Sequence, residues 1–176
     1  MTNFFESFKN NFSYLLLSNI FLKVLAIFQT AFLMFVLSPY DFGIVAISTT
    51  FIALLTRFQS VGIEEYLIKE GKESIGHNIW NNALSLKLVL STLLFALSYL
   101  SSNFWANVYG ENDVKDAVKF LSFLFFFQFL YFMPILKFKL DLDFVTIAKI
   151  DTLSNLLRVV STISLASLDF GFWSIL

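Results

Sequence analysis

The sequence predicts an all-α integral membrane protein with five transmembrane helices and the opening residues of a sixth. Three observations carry that expectation. Hydrophobic residues make up 57% of the 176-residue chain and charged residues 14%, and the mean hydropathy is +0.75, outside the range of soluble domains. The apolar residues gather in long runs, and ~20 residues at ~1.5 Å each cross a ~30 Å hydrocarbon core. Short stretches holding Pro, Gly or charge separate the runs.

Composition also excludes several function classes. A net charge of -1 offers no basic face for nucleic acid. With no cysteine and a single histidine, His77, there is no disulfide framework, no thiol nucleophile and no cluster of imidazole or thiolate metal ligands. No phosphate-cradling Gly-rich loop, His-Glu-x-x-His or Gly-x-Ser-x-Gly is present, so we expect no enzyme, catalytic residue, metal or cofactor. The 24 phenylalanines suit lipid-facing helices and supply no chemistry.

Met1 to Asn11 forms an amphipathic lead-in, with Phe4, Phe5 and Phe8 opposite Glu6, Lys9 and Asn10. It does not match a secretory signal: Glu6 offsets Lys9, Asn19 and Lys23 interrupt the following run, and no small-residue cleavage site follows. Span one is therefore uncleaved and covers 12–37. Leu37 to Gly43 is a polar hinge in which Pro39 stops the first helix and Gly43 opens the next. Span two covers 43–58 with Arg57 at its far end, as the antiparallel neighbour of span one. Ser60 to Asn78 reads as a charged loop containing Glu64, Glu65, Lys69, Glu70, Lys72 and Glu73, punctuated by Gly62, Gly71 and Gly76.

Span three covers 79–100, and Trp105 and Tyr109 follow as interface aromatics. Span four, 118–136, carries Phe120, Phe123, Phe125, Phe126, Phe127, Phe129 and Phe132; a helix so apolar all round belongs against lipid. Lys137 to Phe144 alternates charged and apolar residues, a strand pattern taken alone. With no strand to pair with, and no place for an unpaired edge in lipid, it is expected as an interfacial elbow. Span five covers 145–166, and a sixth begins at 170, where Asp169, Phe170 and Gly171 repeat Asp41, Phe42 and Gly43. The whole, 1–176, reads as one transmembrane helical domain.

Orientation follows the distribution of Lys and Arg in loops. A cytoplasmic N-terminus places Lys9, Arg57, Lys69, Lys72, Lys137 and Lys139 inside and only Lys115 and Lys119 outside. The expected location is the inner (plasma) membrane.

Lys23, Lys87, Asp151 and Arg158 fall within spans, where each costs roughly 2.5 to 3.5 kcal/mol near the helix centre. Asp151, Asn155, Arg158 and Thr162 share one face of span five; Asn19, Lys23 and Thr30 share a face of span one, and Lys87, Ser91 and Ser98 a face of span three. Two roles stay open. The charges either tie helices together, with Lys23 and Lys87 snorkelling to the headgroups, or line a cavity. Among these four groups, three cations against one carboxylate leave positive charge that an anionic passenger would match. The candidate cavity residues are Lys23, Lys87, Asp151, Asn155 and Arg158, with Asn19 and Arg57.

Four stretches carry a family likeness: Leu37-Ser-Pro-Tyr-Asp-Phe-Gly43, Val61-Gly-Ile-Glu-Glu-Tyr-Leu-Ile68, Phe144-Val-Thr-Ile-Ala-Lys-Ile-Asp151 and Phe170-Gly-Phe-Trp173. In order and spacing the chain resembles the N-terminal part of bacterial oligosaccharide-lipid flippases, polysaccharide transporters of the multidrug and oligosaccharidyl-lipid exporter superfamily. The resemblance implies two six-helix lobes around a cavity that opens alternately to either side and moves a polyprenyl-diphosphate-linked oligosaccharide outward. It implies that cavity cations engage the diphosphate. The partners it implies are the bilayer, the lipid-linked oligosaccharide, and a second lobe or other polysaccharide-assembly proteins. Family members have about twice as many spans, so the chain is expected to be the first lobe, and without a second it is expected not to flip glycan alone. A cation-coupled drug exporter of the same superfamily ranks lower, because basic rather than acidic residues dominate the spans. A non-transporting membrane subunit or remnant is the alternative from another class.

Overall fold

The computed structural model describes residues 2–59, 62–70 and 77–176. Gly71, Lys72, Glu73 and Gly76 of the expected loop lie outside them, as do the side chains of the lead-in through Leu16 and those of His77 and Asn78. The helices are α1 (Thr2–Val36), α2 (Pro39–Gln59), α3 (Ile63–Glu70), α4 (His77–Tyr109), α5 (Asn112–Ser122), α6 (Leu124–Leu140) and α7 (Phe144–Ser167), followed by a 3-10 turn, Gly171–Ser174. No strand occurs among the described residues. Among the described residues, four helical stretches are long and apolar enough to cross a membrane: Leu17–Val36, Pro39–Glu70, Ile79–Tyr109 and Asn112–Leu140. The protein is an all-α, multi-pass membrane protein. At 24 residues α7 has the length to span, but Lys149, Asp151 and Arg158 interrupt its apolar run.

Contacts divide the chain into two units, 1–38 with 142–175, and 39–141 with 176. In the first, α1 packs on α7, and Leu33 of the one and Ala148, Val159, Thr162 and Ala166 of the other are buried. The α7 start is set by Asp143, whose carboxylate accepts from the Thr146 backbone N–H at 3.0 Å and from its hydroxyl at 2.6 Å. An N-cap of this kind satisfies donors that the first helical turn leaves orphaned. The Thr146 hydroxyl, then its N–H, hold the Asp143 carboxyl below the usual carboxylate range.

In the second unit α5 packs on α2 and α4, and α6 on α4 and α3. Its α2 opens at Pro39, where a missing N–H costs nothing, and Asp41 in the first turn favours the helix dipole. The hinge is thus shorter than the sequence suggests. It comprises Leu37 and Ser38, and Gly43 lies within α2. The tripeptide Asp41 to Gly43 is helical, whereas Asp169 to Gly171 forms the turn after α7 with φ of 58° at Asp169 and 55° at Gly171, so the repeat is not a repeat of structure.

Three further expectations need correction. The charged loop contains α3, whose Ile63 and Leu67 pack with Ala83, Phe132 and Leu136, while Glu64 pairs with Lys139. Its spacing of four between apolar residues is hidden by the charges around it. The expected fourth span is not apolar toward lipid on every side: Val114, Ala117, Val118, Phe125 and Leu136 are buried in the unit, and Phe120, Phe123, Phe127 and Leu130 are exposed. It also breaks at Phe123. There the Ser122 hydroxyl donates to the Lys119 carbonyl, and the Phe123 N–H bonds to Phe120 instead, at 3.2 Å, a tightening that back-bonding Ser favours. Last, the elbow is shorter than 137–144. Lys137 to Leu140 completes α6, where Lys137 and Lys139 suit the negative end of the dipole, and the chain turns through Asp141 and Leu142, the latter at φ 54°.

Candidate functional site

The first unit holds Asn19 and Lys23 on α1 and Asp151, Asn155 and Arg158 on α7, and these two helices pack on each other. A hydrogen bond of 2.6 Å between the hydroxyls of Ser18 and Thr152 fastens the two helices one residue away from Asn19 and Asp151. Along α7, the Asn155 amide donates to the Asp151 backbone carbonyl at 2.8 Å, and Arg158 Nη2 donates to Asn155 Oδ1 at 3.0 Å. This orients Asn155 and steadies the guanidinium by one neutral bond. Arg158, Lys23 and Asn19 are exposed, Asp151 and Asn155 are half-buried, and Thr162 is buried. The Thr30 hydroxyl turns back to the Ala26 carbonyl at 2.9 Å, which satisfies it within its own helix. Along α7 this makes a strip of amide and cationic groups, and Asn19 and Lys23 stand exposed on α1.

Lys87 belongs to the other unit and has a different environment. It is 8% exposed; its ammonium donates to the Gln59 backbone carbonyl at 3.0 Å and lies 4.9 Å from the centre of the Phe132 ring. Gln59 is the last residue of α2, so the lysine satisfies a carbonyl that the helix end leaves without an intrahelical donor. The Gln59 side chain, 1% exposed, donates to Ser91 Oγ at 2.6 Å and to the Phe125 carbonyl at 3.2 Å. One buried node thereby links α2, α4 and α6. Farther along α4, Ser98 and Ser102 are buried with their hydroxyls on the Phe95 and Tyr99 carbonyls, at 3.0 and 2.7 Å, and these small residues let neighbouring helices approach.

Arg57, exposed on α2, lines an open cleft of about 350 Å³ with Thr49, Thr56, Leu121, Leu124 and Gln128. Near the start of α2, the Tyr40 hydroxyl donates to Glu111 at 2.8 Å and to Asp113 at 3.1 Å. Neither this cluster nor Gln59 stands out in the sequence. Tyr40 reads there as part of a hinge and Gln59 falls between a span and a loop, and only the contacts that the fold makes give them roles.

Helices long enough to cross a bilayer, carrying polar side chains that neither helix length nor apolar packing requires, define a multi-pass membrane protein with polar surface inside its spans. The particular family is then given by a family model described as "Polysaccharide biosynthesis protein", which matches residues 32–176, so the chain belongs to that family. No curated protein and no solved structure matches the chain.

Proposed function

We propose that this protein is a flippase component that carries polyprenyl-diphosphate-linked oligosaccharide outward across the plasma membrane during surface-polysaccharide assembly. The observation that carries the proposal is the strip on α7, where Asn155 holds an exposed Arg158, together with Lys23 exposed on α1, the helix packed against it. A glycan diphosphate finds no hydrogen-bond partners in hydrocarbon, and the strip offers amide and cationic donors along the direction of passage. The diphosphate meets the cations and the sugar hydroxyls meet the amides and Asp151. Membership of a polysaccharide biosynthesis family supports this passenger over a drug. The protein moves its cargo without making or breaking a bond, its N-terminus faces the cytoplasm, and the strip forms one wall of a cavity whose remainder comes from a second lobe.

Replacing Arg158 with Ala in the chromosomal gene is expected to abolish surface polysaccharide, with lipid-linked oligosaccharide accumulating on the cytoplasmic leaflet and the protein inserted at normal abundance. If abundance falls instead and transport per molecule is unchanged, Arg158 is a helix tie through Asn155 and the proposal fails.

A further inference from the structure

A second cleft lies between α2 and α4, of about 400 Å³, lined by Ala46, Ile47, Thr50, Phe51, Leu54, Trp105 and Tyr109. Its chemistry differs from that of the cationic strip. The Trp105 and Tyr109 rings, one helical turn apart, lie nearly parallel, 23° between planes and 6.3 Å between centres. Phe51 packs on Trp105 from α2 at 4.7 Å, and Phe104 meets the indole edge-on at 5.5 Å. Trp105 is therefore held by two neighbouring rings while it still lines the cleft. Two residues beyond Tyr109 stands Glu111, which with Asp113 accepts from Tyr40; each carboxylate keeps acceptor capacity after that bond.

We infer that this aromatic cleft is a saccharide subsite that stacks one pyranose unit of the glycan on Trp105 and Tyr109. The inference rests on the flippase proposal for which end of the bundle the glycan reaches. A pyranose has one face of C–H groups, which an aromatic ring accepts, and an edge of hydroxyls, which carboxylates and a threonine hydroxyl accept. Aromatic walls with a few polar groups that fix orientation are the usual make-up of a small-molecule site. Charge selects the occupant. Glu111 and Asp113, two and four residues beyond Tyr109, repel a phosphate headgroup and suit a neutral polyol, so an anionic phospholipid is disfavoured. With the N-terminus inside, this end of α4 faces outward, where the sugar arrives after crossing.

An interfacial anchoring role for Trp105 and Tyr109 predicts no sugar binding, and this separates the two. The purified protein in nanodiscs is titrated with a panel of methyl pyranosides (glucose, galactose, mannose and N-acetylglucosamine), read by saturation-transfer NMR. At least one should bind saturably, with the strongest transfer to its axial ring protons. Trp105→Leu, which keeps the apolar bulk, should weaken that binding about tenfold, the size of one aromatic contact, while Trp105→Phe keeps most of it. No saturable binding by any of the four, or equal binding by Trp105→Leu, overturns the inference. So does a Trp105-dependent response to phosphatidylglycerol without one to the sugars. Where Trp105→Leu also lowers the melting temperature, Trp105→Phe decides: lost binding in a normally stable Phe variant overturns the stacking role, and retained binding supports it. Because binding is measured without transport, its failure leaves the outcome at Arg158 untouched.

Discussion

The two units treat polar groups inside membrane helices in opposite ways. In the second, Lys87 is buried on the Gln59 carbonyl and the Phe132 ring, and the Gln59 amide is held by Ser91 and Phe125. In the first, Lys23 and Arg158 are exposed on α1 and α7, and Arg158 has a neutral amide for its neighbour. An intramembrane cation is thus two different things. Where it ends on a helix carbonyl inside a packed bundle it fastens helices, and where it stands on an open face it is where the proposed passenger would bind.

The comparison breaks most visibly at Lys87. Lys87→Met keeps the aliphatic stem and removes the donor, leaving the Gln59 carbonyl buried without it, a cost of about 1–3 kcal/mol. We expect lower abundance and a lower melting temperature, measured on the purified protein; unchanged stability would mean that the node is not a tie. Gln59→Leu should act in the same direction, because it strips the Phe125 carbonyl and Ser91 of their donor. Lys23→Ala, by contrast, should leave melting unchanged and reduce export.

A smaller effect is expected at the α7 start. Because Thr146 lowers the folded pKa of Asp143, the cap's contribution is fully present above the unfolded carboxyl value, ~3.9, and is lost as pH falls through the folded one. Asp143→Asn keeps an N-cap acceptor but should flatten the acid end of the stability profile, seen by circular dichroism as the pH falls from neutral through the unfolded carboxyl value and below it. A profile that falls as steeply as the wild type would remove Asp143 from the account. The smallest effect belongs to Tyr40→Phe, which deletes an exposed hydrogen bond to Glu111 and Asp113 and should shift melting little. Topology sharpens the same contrast: cysteines at Ser38 and Asn112 should react with an impermeant thiol reagent from outside, and one at Lys139 should not.

Hydropathy alone makes the fold class legible, because apolar runs of spanning length occur almost only in helices that cross a bilayer. Helix starts are less so. Pro39 reads equally as a breaker or as the first residue of a helix, and only the observed start at Pro39 decides. The α3 helix is obscured because Glu64, Glu65 and Lys69 outweigh its Ile63 and Leu67 in any average. The break at Phe123 depends on a hydroxyl taking one carbonyl, which no periodicity records. For the site, spacing groups Asp151, Asn155 and Arg158 on α7. It cannot distinguish Lys87 from Lys23, since both are lysines within apolar runs and their difference lies in what other helices bring to them.

The most direct test compares export per inserted molecule in two variants, Arg158→Ala and Lys87→Met, with surface polysaccharide normalised to membrane abundance. The account predicts that Arg158→Ala loses export at normal abundance, whereas Lys87→Met loses abundance at normal export per molecule. The reverse pattern would contradict it and move the passenger's path from α1 and α7 to the buried node of the second unit.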